Sequence, residues 1–588
     1  MNTATMTIPG LMLASADRGS RPVAFRFKHN GEWINMPSDE FVQRVQELFH
    51  GLQALGCQPE SRVAIISENR IEWAITDYAA QSLGAIVVPV YPTLSPAQME
   101  TVLTDCGASL IFASSLQLLE KVISIRKHLR SLKFLVAFDP KVCQPGVLRM
   151  ETLYKTGKQS ATDNPGAFRA AVAQRKPDDV ATIIYTSGTT GAPKGAMLTH
   201  RNLVSNILAT QEVLPMRSDD VELSFLPLSH IFQRHVDYCA FYAGTTIAYA
   251  EDPTAVADDL PVIRPTFIAA VPRFFEKVRA KILTEVQRQT LTRRTAFDWA
   301  FRHGVRAFRS GRRGAAYALA DRLVFRKIKE RLGGRLKWCA SAGAPLEKEV
   351  AEFFFAVGIP VLEGYGLTET SPVITLTPPD QVRLGSVGKP VGDVQIRIAD
   401  DGEIMVRGSN VAKGYFGKPR ETAEAFRDGW FHTGDVGRLS PDGYLEITDR
   451  KKDLIITSTG KNIAPQQIES RLKLIPYFDN IVVIGDRRSF LSALIVPNMD
   501  AMLAWARSQS LVFNNPFELL NRKEIHDLAL REIDKKMADL AEFERIRKIA
   551  FLESVFSVDS GELTPTLKIR RSMIESKFRD RIDKLYAA

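Results

Sequence analysis

The chain has 588 residues, 45% hydrophobic and 24% charged, with a net charge of +10; it is too long for one core, and two to four globular domains are expected. No apolar run reaches the roughly 18 residues of a membrane-spanning helix, and without a basic start before Arg18 no cleaved leader is expected. Five scattered cysteines, Cys57, Cys106, Cys143, Cys239 and Cys339, include no C-x-x-C pair, which reads as reduced thiols of a cytoplasmic protein rather than a disulfide frame or a zinc site.

In chain order, RVAIIS from Arg62, an amphipathic stretch at 69–83 and AIVVPV at 85–90 read as strand, helix, strand. Apolar runs at 109–113 and 134–138 extend an open α/β layer. Behind the apolar 180–184 comes YTSGTTGAPKG, 185–195. Glycines 188, 191 and 195 let backbone approach a ligand, Thr186, Ser187, Thr189 and Thr190 add hydroxyls, and Lys194 adds a cation, a set suited to a polyphosphate. The bland alternative is a flexible Ser/Thr/Gly connector. The common phosphate loop is excluded, because Pro193 precedes Lys194 and Gly195 follows it.

LSFLPLSHIFQRH, 223–235, puts His230 at a strand end, either as a satisfied loop histidine or facing substrate; with His235 alone it makes no metal site. From Arg288 to Lys337 fifteen Lys/Arg face only Asp298, Asp321 and Glu330. Phe297, Phe301, Val305 and Phe308 recur at helical spacing with Arg294, Arg302, Arg306 and Arg309 interleaved, and a second stretch with Leu319, Leu323, Val324 and Ile328 stops at Gly333-Gly334. Two readings stand: a solvated basic face, or peripheral contact with an anionic membrane. Nucleic acid is not expected, since the aromatics lie on the apolar stripe.

Gly343, Ala344 and Pro345 in SAGAPL give a flat ring room against backbone. VLEGYGLTET, 361–370, supplies Gly364, Tyr365, Gly366, Thr368 and Glu369; a carboxylate beside a polyphosphate needs a cation between them, which implies Mg2+. GSVGKP at 385–390 and GEIMVRG at 402–408 read as strands of a small barrel-like subdomain. Asp435, in GWFHTGD, suits a ribose diol. The charged knot 449–453 marks a domain boundary, giving units 1–450 and 451–588, and ELTPTLKIRR near the end presents Lys568 from a loop.

The order of these motifs resembles that of the adenylate-forming enzymes, and LPLSHIFQR, EGYGLTET, ITDRKKDLI and LTPTLKIRR are similar to long-chain fatty acyl-CoA synthetases. The resemblance covers nearly the whole chain. It implies a large layered α/β domain with a barrel subdomain and a mobile α+β cap. It implies ATP phosphates on 186–194, adenine between 343–345 and Tyr365, Mg2+ near Glu369, ribose on Asp435 and Arg450, and the acyl group near His230. Lys568 would bridge the acyl carboxylate and the α-phosphate, with Thr186 and Glu369 beside it. Lys452 would be the hinge, and Ser458, Thr459, Gly460 and Lys461 would serve thioester formation with CoA. The implied partners are a fatty acid, ATP and CoA. Phe232 to Asp237 lack the tryptophan gate of some long-chain members. Rival readings are a ligase loading a carrier protein, a ligase for aryl or short acids, and a silent nucleotide-binding or membrane-scaffold protein.

Overall fold

The strand, helix, strand unit at 62–90 builds the first sheet. In the computed structural model, which describes residues 6–186, 193–252, 254–458, 461–513, 515–558, 560–564 and 568–587, that sheet has seven strands. Their order is Leu148–Arg149, Phe134–Ala137, Leu110–Ala113, Arg62–Ile66, Ile86–Val90, Val180–Thr186 and Lys194–Thr199. All run parallel except the last, which folds back antiparallel on Val180–Thr186. Ile86–Val90 is buried at every residue, as a parallel strand covered on both faces must be. The helix Ile71–Leu83 is buried at twelve of its thirteen residues. The amphipathic stretch read at 69–83 is this helix, and its polar residues are covered too because other helices, Ser38–Ala54 among them, pack against it.

A second, nine-stranded sheet runs Lys389–Pro390, Val373–Leu376, Val361–Gly366, Trp338–Ser341, Phe267–Ala270, Val221–Ser224, Thr246–Tyr249, Phe25–His29 and Glu32–Met36. Its centre is parallel and its outer strands antiparallel. One core, with Val63, Ile65 and Phe112 from the first sheet and Phe25, Ile247 and Phe267 from the second, fills the space between them. The GSVGKP segment was expected in the small subdomain, yet Lys389 pairs with Leu376 on the edge of the large sheet. Gly388 permits that approach: a Cβ there would stand 2.1 Å from the Leu376 carbonyl carbon.

A five-stranded antiparallel sheet follows, built from Gln395–Ile398, Glu403–Arg407, Phe426–Arg427, Trp430–Leu439 and Leu445–Arg450. Beyond 450 a separate α+β unit carries its own two cores. Along Phe478–Ile484 the residues alternate between them, Ile481 and Val483 in one, Val482 and Ile484 in the other, as period-two geometry requires of a strand covered on both faces.

The basic segment forms the helix Leu291–Ser310, ended by Gly311 in the left-handed region (φ 65), then shorter helical pieces to Arg331. Its aromatic stripe packs on the body of the domain, Phe297 buried and Phe301 and Phe308 partly so. Phe308 stacks on Phe355 at 4.5 Å, Phe301 meets Phe353 at 5.7 Å, and Gly304 lets the two helices close until a Cβ would lie 2.5 Å from the Ala356 carbonyl oxygen. Among the described residues no helix is long and apolar enough to cross a membrane.

Candidate active site

Parallel strands deliver their C-terminal ends to one edge, so the segments after Ser224, Ser341 and Gly366 open on a common cleft. After Ser224 the chain turns through Pro227 into His230, which caps the helix Ile231–Ala243: its Nδ1 accepts the Phe232 N–H at 3.1 Å. That bond assigns the proton of the neutral ring to Nε2. Burial, reinforced by the Lys568 charge, pushes the imidazole down to about 4. At neutral pH His230 is therefore an uncharged donor.

The helix behind it is locked from below. Arg234, 1% exposed, is paired with Asp77 and donates to Tyr238 Oη at 2.8 Å and Thr182 Oγ1 at 2.8 Å. Thr182 sits on the strand that leads to the Ser/Thr/Gly segment, so one buried guanidinium ties that strand to the histidine's helix. A buried charge is tolerated only when so completely partnered.

Glu369 sits in the turn Thr368–Thr370. Asn410 Nδ2 donates to the Thr370 carbonyl at 2.9 Å, and the Ala412 N–H to the Glu369 carbonyl at 2.8 Å. Glu369 is buried, and burial raises its carboxyl above the ordinary value while the Tyr415 hydroxyl, donating to Oε1 at 2.9 Å, opposes the rise. Tyr415 also lies under the Lys194 ammonium, 5.2 Å from the ring centre. Lys194 was expected in the loop; it opens the return strand, its carbonyl accepting from Thr186 Oγ1 at 3.4 Å. Thr186, Lys194, Tyr415 and Glu369 thus form one continuous wall. Ser187, Gly188, Thr189, Thr190 and Gly191 lie outside the described residues.

The opposite wall is a rung of the five-stranded sheet, Asp435 opposite Arg450. Arg450 Nε stands 3.2 Å from Asp435 Oδ1, and the Tyr365 hydroxyl donates to Oδ2 at 2.6 Å. Each carboxylate oxygen keeps a lone pair for a further donor. Tyr365 is only 9% exposed, so the wider flat surface is the backbone of exposed Gly343, Ala344 and Pro345. Gly343 is left-handed (φ 87), and a Cβ there would meet nothing nearer than 3.9 Å. Gly366 admits no side chain, since a Cβ would lie 1.8 Å from the Pro372 carbonyl oxygen, and at Gly364 one would touch Leu376 at 3.2 Å. Thr368 lies half-buried in the same turn.

Lys568 enters this cleft from the C-terminal unit. Leu563 bridges Ile569, and the Lys568 N–H donates to Thr564 Oγ1 at 3.0 Å, which closes the turn that presents it. The side chain meets solvent in the open cleft, yet enough protein surrounds the ammonium to push it down to about 8; Arg450 adds to the fall while Asp435 and Glu369 oppose it. Lys568 therefore shares a field with His230, Glu369, Asp435 and Arg450. Lys452, Ser458 and Lys461 are not part of that field. Lys452 is exposed in the turn after Arg450, the Ser458 N–H donates to the Arg488 carbonyl at 3.0 Å, and Lys461 stands 5.5 Å over Phe543, both partners within the C-terminal unit. Thr459 and Gly460 lie outside the described residues. Tyr415 and Arg234 carry little signal in the sequence: a glycine-flanked aromatic in GYFG, and one of the polar set Gln233, Arg234, His235 and Asp237 in a helix that the structure buries.

Two family models match the chain: "AMP-binding enzyme" over residues 14–416 and "AMP-binding enzyme C-terminal domain" over 452–588. The chain is 36% identical over 578 residues to the long-chain-fatty-acid–CoA ligase FadD15 of Mycobacterium bovis, covering 95% of this chain and 93% of that protein. It is 34% identical over 574 residues to long-chain-fatty-acid–CoA ligase 1 of Cavia porcellus, covering 91% and 79%. Among solved structures, the anthranilate CoA ligase AuaEII in complex with anthranoyl-AMP matches with a TM-score of 0.75 at 20% identity, over 99% of this chain and 100% of that one. At that identity the likeness is one of fold.

Proposed function

From the premise that this chain belongs to the AMP-binding enzyme family, we propose that it is a long-chain fatty acid–CoA ligase: it joins a fatty acid to AMP at the expense of ATP, then transfers the acyl group to CoA. The observation that carries this reading is the rung of Asp435 with Arg450 and Tyr365, together with buried Glu369 on Tyr415, on which the charge of Lys568 acts from the C-terminal unit. Two anions must meet in the first step, and that is where a preorganised cation lowers a barrier most.

A fatty carboxylate cannot give up oxide. Its oxygen therefore attacks the α-phosphorus of ATP, a P–O bond forms, and the bond to pyrophosphate breaks. Lys568 holds its charge between the carboxylate and the α-phosphoryl oxygens, and the neutral His230 offers its Nε2–H to the carboxylate oxygen that does not attack. Lys194 and the Thr186 hydroxyl face the departing phosphates. Asp435 accepts the ribose hydroxyls with the lone pairs that Tyr365 and Arg450 leave, and the purine lies on the 343–345 backbone. In the second step the CoA thiol gives its proton to solvent, its sulfur attacks the acyl carbon, and the C–O bond to AMP breaks as the C–S bond forms. We assign the turn at Lys452 as the joint about which the cap, 451–588, withdraws Lys568 from 1–450 and brings 458–461 to the thioester.

The donor set suits Mg2+. Among the described residues no group of three or more His, Cys, Asp or Glu forms a cage, and Glu369, with only Oε1 on a hydroxyl, fits an ion held by one carboxylate, water and substrate phosphates. When bound, the ion neutralises phosphate charge.

We also infer contact of the basic segment with an anionic membrane. Its support is a patch around Leu319, 49% exposed, and Leu323, 57% exposed, set among the exposed Arg322, Arg326 and Lys327.

The test incubates purified protein with MgATP and carboxylic acids of increasing chain length, with and without CoA, following pyrophosphate, AMP and acyl-CoA. Pyrophosphate without CoA, and acyl-CoA only with it, is the expected result. Acyl-AMP that never reaches CoA would indicate a carrier-loading ligase, and no nucleotide turnover would overturn the proposal.

A further inference from the structure

Besides the contacts near the joint, where Lys451 pairs with Asp401 and Glu403 and the Gln466 N–H donates to Asp449 Oδ2 at 3.2 Å, the cap meets the body at a second place. The helix Lys348–Val357 begins directly after the 343–345 backbone, and its first turn is acidic, with Glu347 at the cap position and Glu349 inside. The helix dipole favours those carboxylates there. Two helices of the C-terminal unit bring basic ends to them. Lys536 is the last residue of the helix Lys523–Lys536, and its ammonium stands 3.0 and 3.1 Å from the two oxygens of Glu349. Arg471, in the last turn of Pro465–Leu472, is held by Asp539 at 2.7 Å and lies close enough to Glu347 for the two charges to act on each other. Arg279, from the N-terminal side, stands 3.6 Å from Glu349 and completes its neutralisation. Leu474 packs its side chain on the core beneath the nine-stranded sheet, and Arg273 Nη2 donates to the Asp479 carbonyl at 3.4 Å.

We propose that Glu349 and Lys536, with Glu347 and Arg471 beside them, form a clasp that holds the cap in the orientation with Lys568 in the cleft, and that both are positioning residues for acyl-AMP formation. The inference rests on the two-orientation reading above. An ion pair between the body and the cap survives only while the two keep this relation, so its free energy counts toward one orientation and not the other. The pair is partly exposed, with side chains 30% and 54% accessible, and each such pair weighs little on global stability. A small bias suffices, because a few-fold shift between two cap orientations passes directly into the rate of the step that needs one of them. The clasp also adjoins the 343–345 backbone through a single helix start, so closing the cap and firming the purine surface are one event.

The experiment compares the unaltered protein with Glu349→Lys, Lys536→Glu and the double exchange, each full length. Two rates are read separately: pyrophosphate release from MgATP and palmitate without CoA, and acyl-CoA formation from supplied palmitoyl-AMP. Each single reversal is expected to slow the first by about fivefold, the size of one lost surface pair plus the new repulsion, and to leave the second unchanged or faster. The double exchange restores opposite charges across the joint but sets the new lysine beside Arg279 at the helix start, so it is expected to recover part of the first rate, which a damaged fold would not do. Unchanged pyrophosphate release in both single variants, equal slowing of both half-reactions, or failure of the double exchange to recover would each overturn the clasp. Absence of pyrophosphate release from the unaltered protein with any acid would overturn the functional reading and the clasp with it.

Discussion

Lys568 sets two expectations at the scale of one side chain. Lys568→Ala should slow acyl-AMP formation by about 10²- to 10³-fold, the usual loss when one preorganised donor is removed, while acyl-CoA formation from supplied acyl-AMP changes by less than about threefold; equal loss in both half-reactions would reassign the residue. The second concerns pH. The ammonium is the working form, and its folded value is depressed to about 8. Its charge is full below that value and lost above it. The kcat/KM for adenylation, which reports the free enzyme, should fall as pH rises through about 8, and Lys568→Arg should move that limb upward; a profile flat to pH 10 in the unaltered protein would remove the role. Lys568, Glu369 and Asp435, the site residues proposed here, could be picked from the sequence because the proposed chemistry demands those residue types in those settings. Tyr415 could not. It meets Glu369 only because the segment at 413–416 pairs with the strand Lys194–Thr199, and no local spacing records that a residue 46 positions away will share a wall.

Among elements, the basic helices show what periodicity can and cannot tell. The stripe of Phe297, Phe301 and Phe308 was legible as a helix face, but not its occupant, since a period of 3.6 reads alike whether the face meets a bilayer or a neighbouring helix. It meets Phe353 and Phe355. The membrane reading therefore passes to the short pieces beyond Gly311, where Leu319 and Leu323 stay exposed. Sedimentation with phosphatidylglycerol vesicles at low salt should drop by about tenfold in Leu319→Asp/Leu323→Asp, given what burying two leucines contributes, and should weaken with salt and in Arg322→Glu/Arg326→Glu. Equal sedimentation of all variants, or none with the unaltered protein, would return this face to solvent.

For the whole molecule, the order of the motifs pointed to the family that the two models match over 14–416 and 452–588, and the charged joint at 449–453 stands as a proposal. The sequence could not announce which face the cap would turn toward the cleft, because that relation is made by scattered pairs such as Lys536 with Glu349, each unremarkable alone. Lys452→Pro fixes one backbone dihedral in the turn between the units. Adenylation should stay within about threefold and acyl-CoA formation should fall by about 10²-fold or more, as for other hinge changes that block a required motion; unaltered overall turnover would show that the swing pivots elsewhere.

The rung formed by Asp435 and Arg450 has a consequence for the order of events. Arg450 ends its strand, steadies Asp435 with its guanidinium, and with its carbonyl accepts the N–H groups of Asp453 and Leu454 that shape the turn carrying Lys452. If Asp435 anchors the nucleotide and Lys452 is the pivot, as proposed above, one residue touches both, much as an escapement touches both wheel and pendulum. A cap that swung early would slacken the grip on the nucleotide, and a nucleotide that left early would free the cap. On that proposal, sequence in time is written into a single side chain and its own carbonyl, not into the distance between two domains.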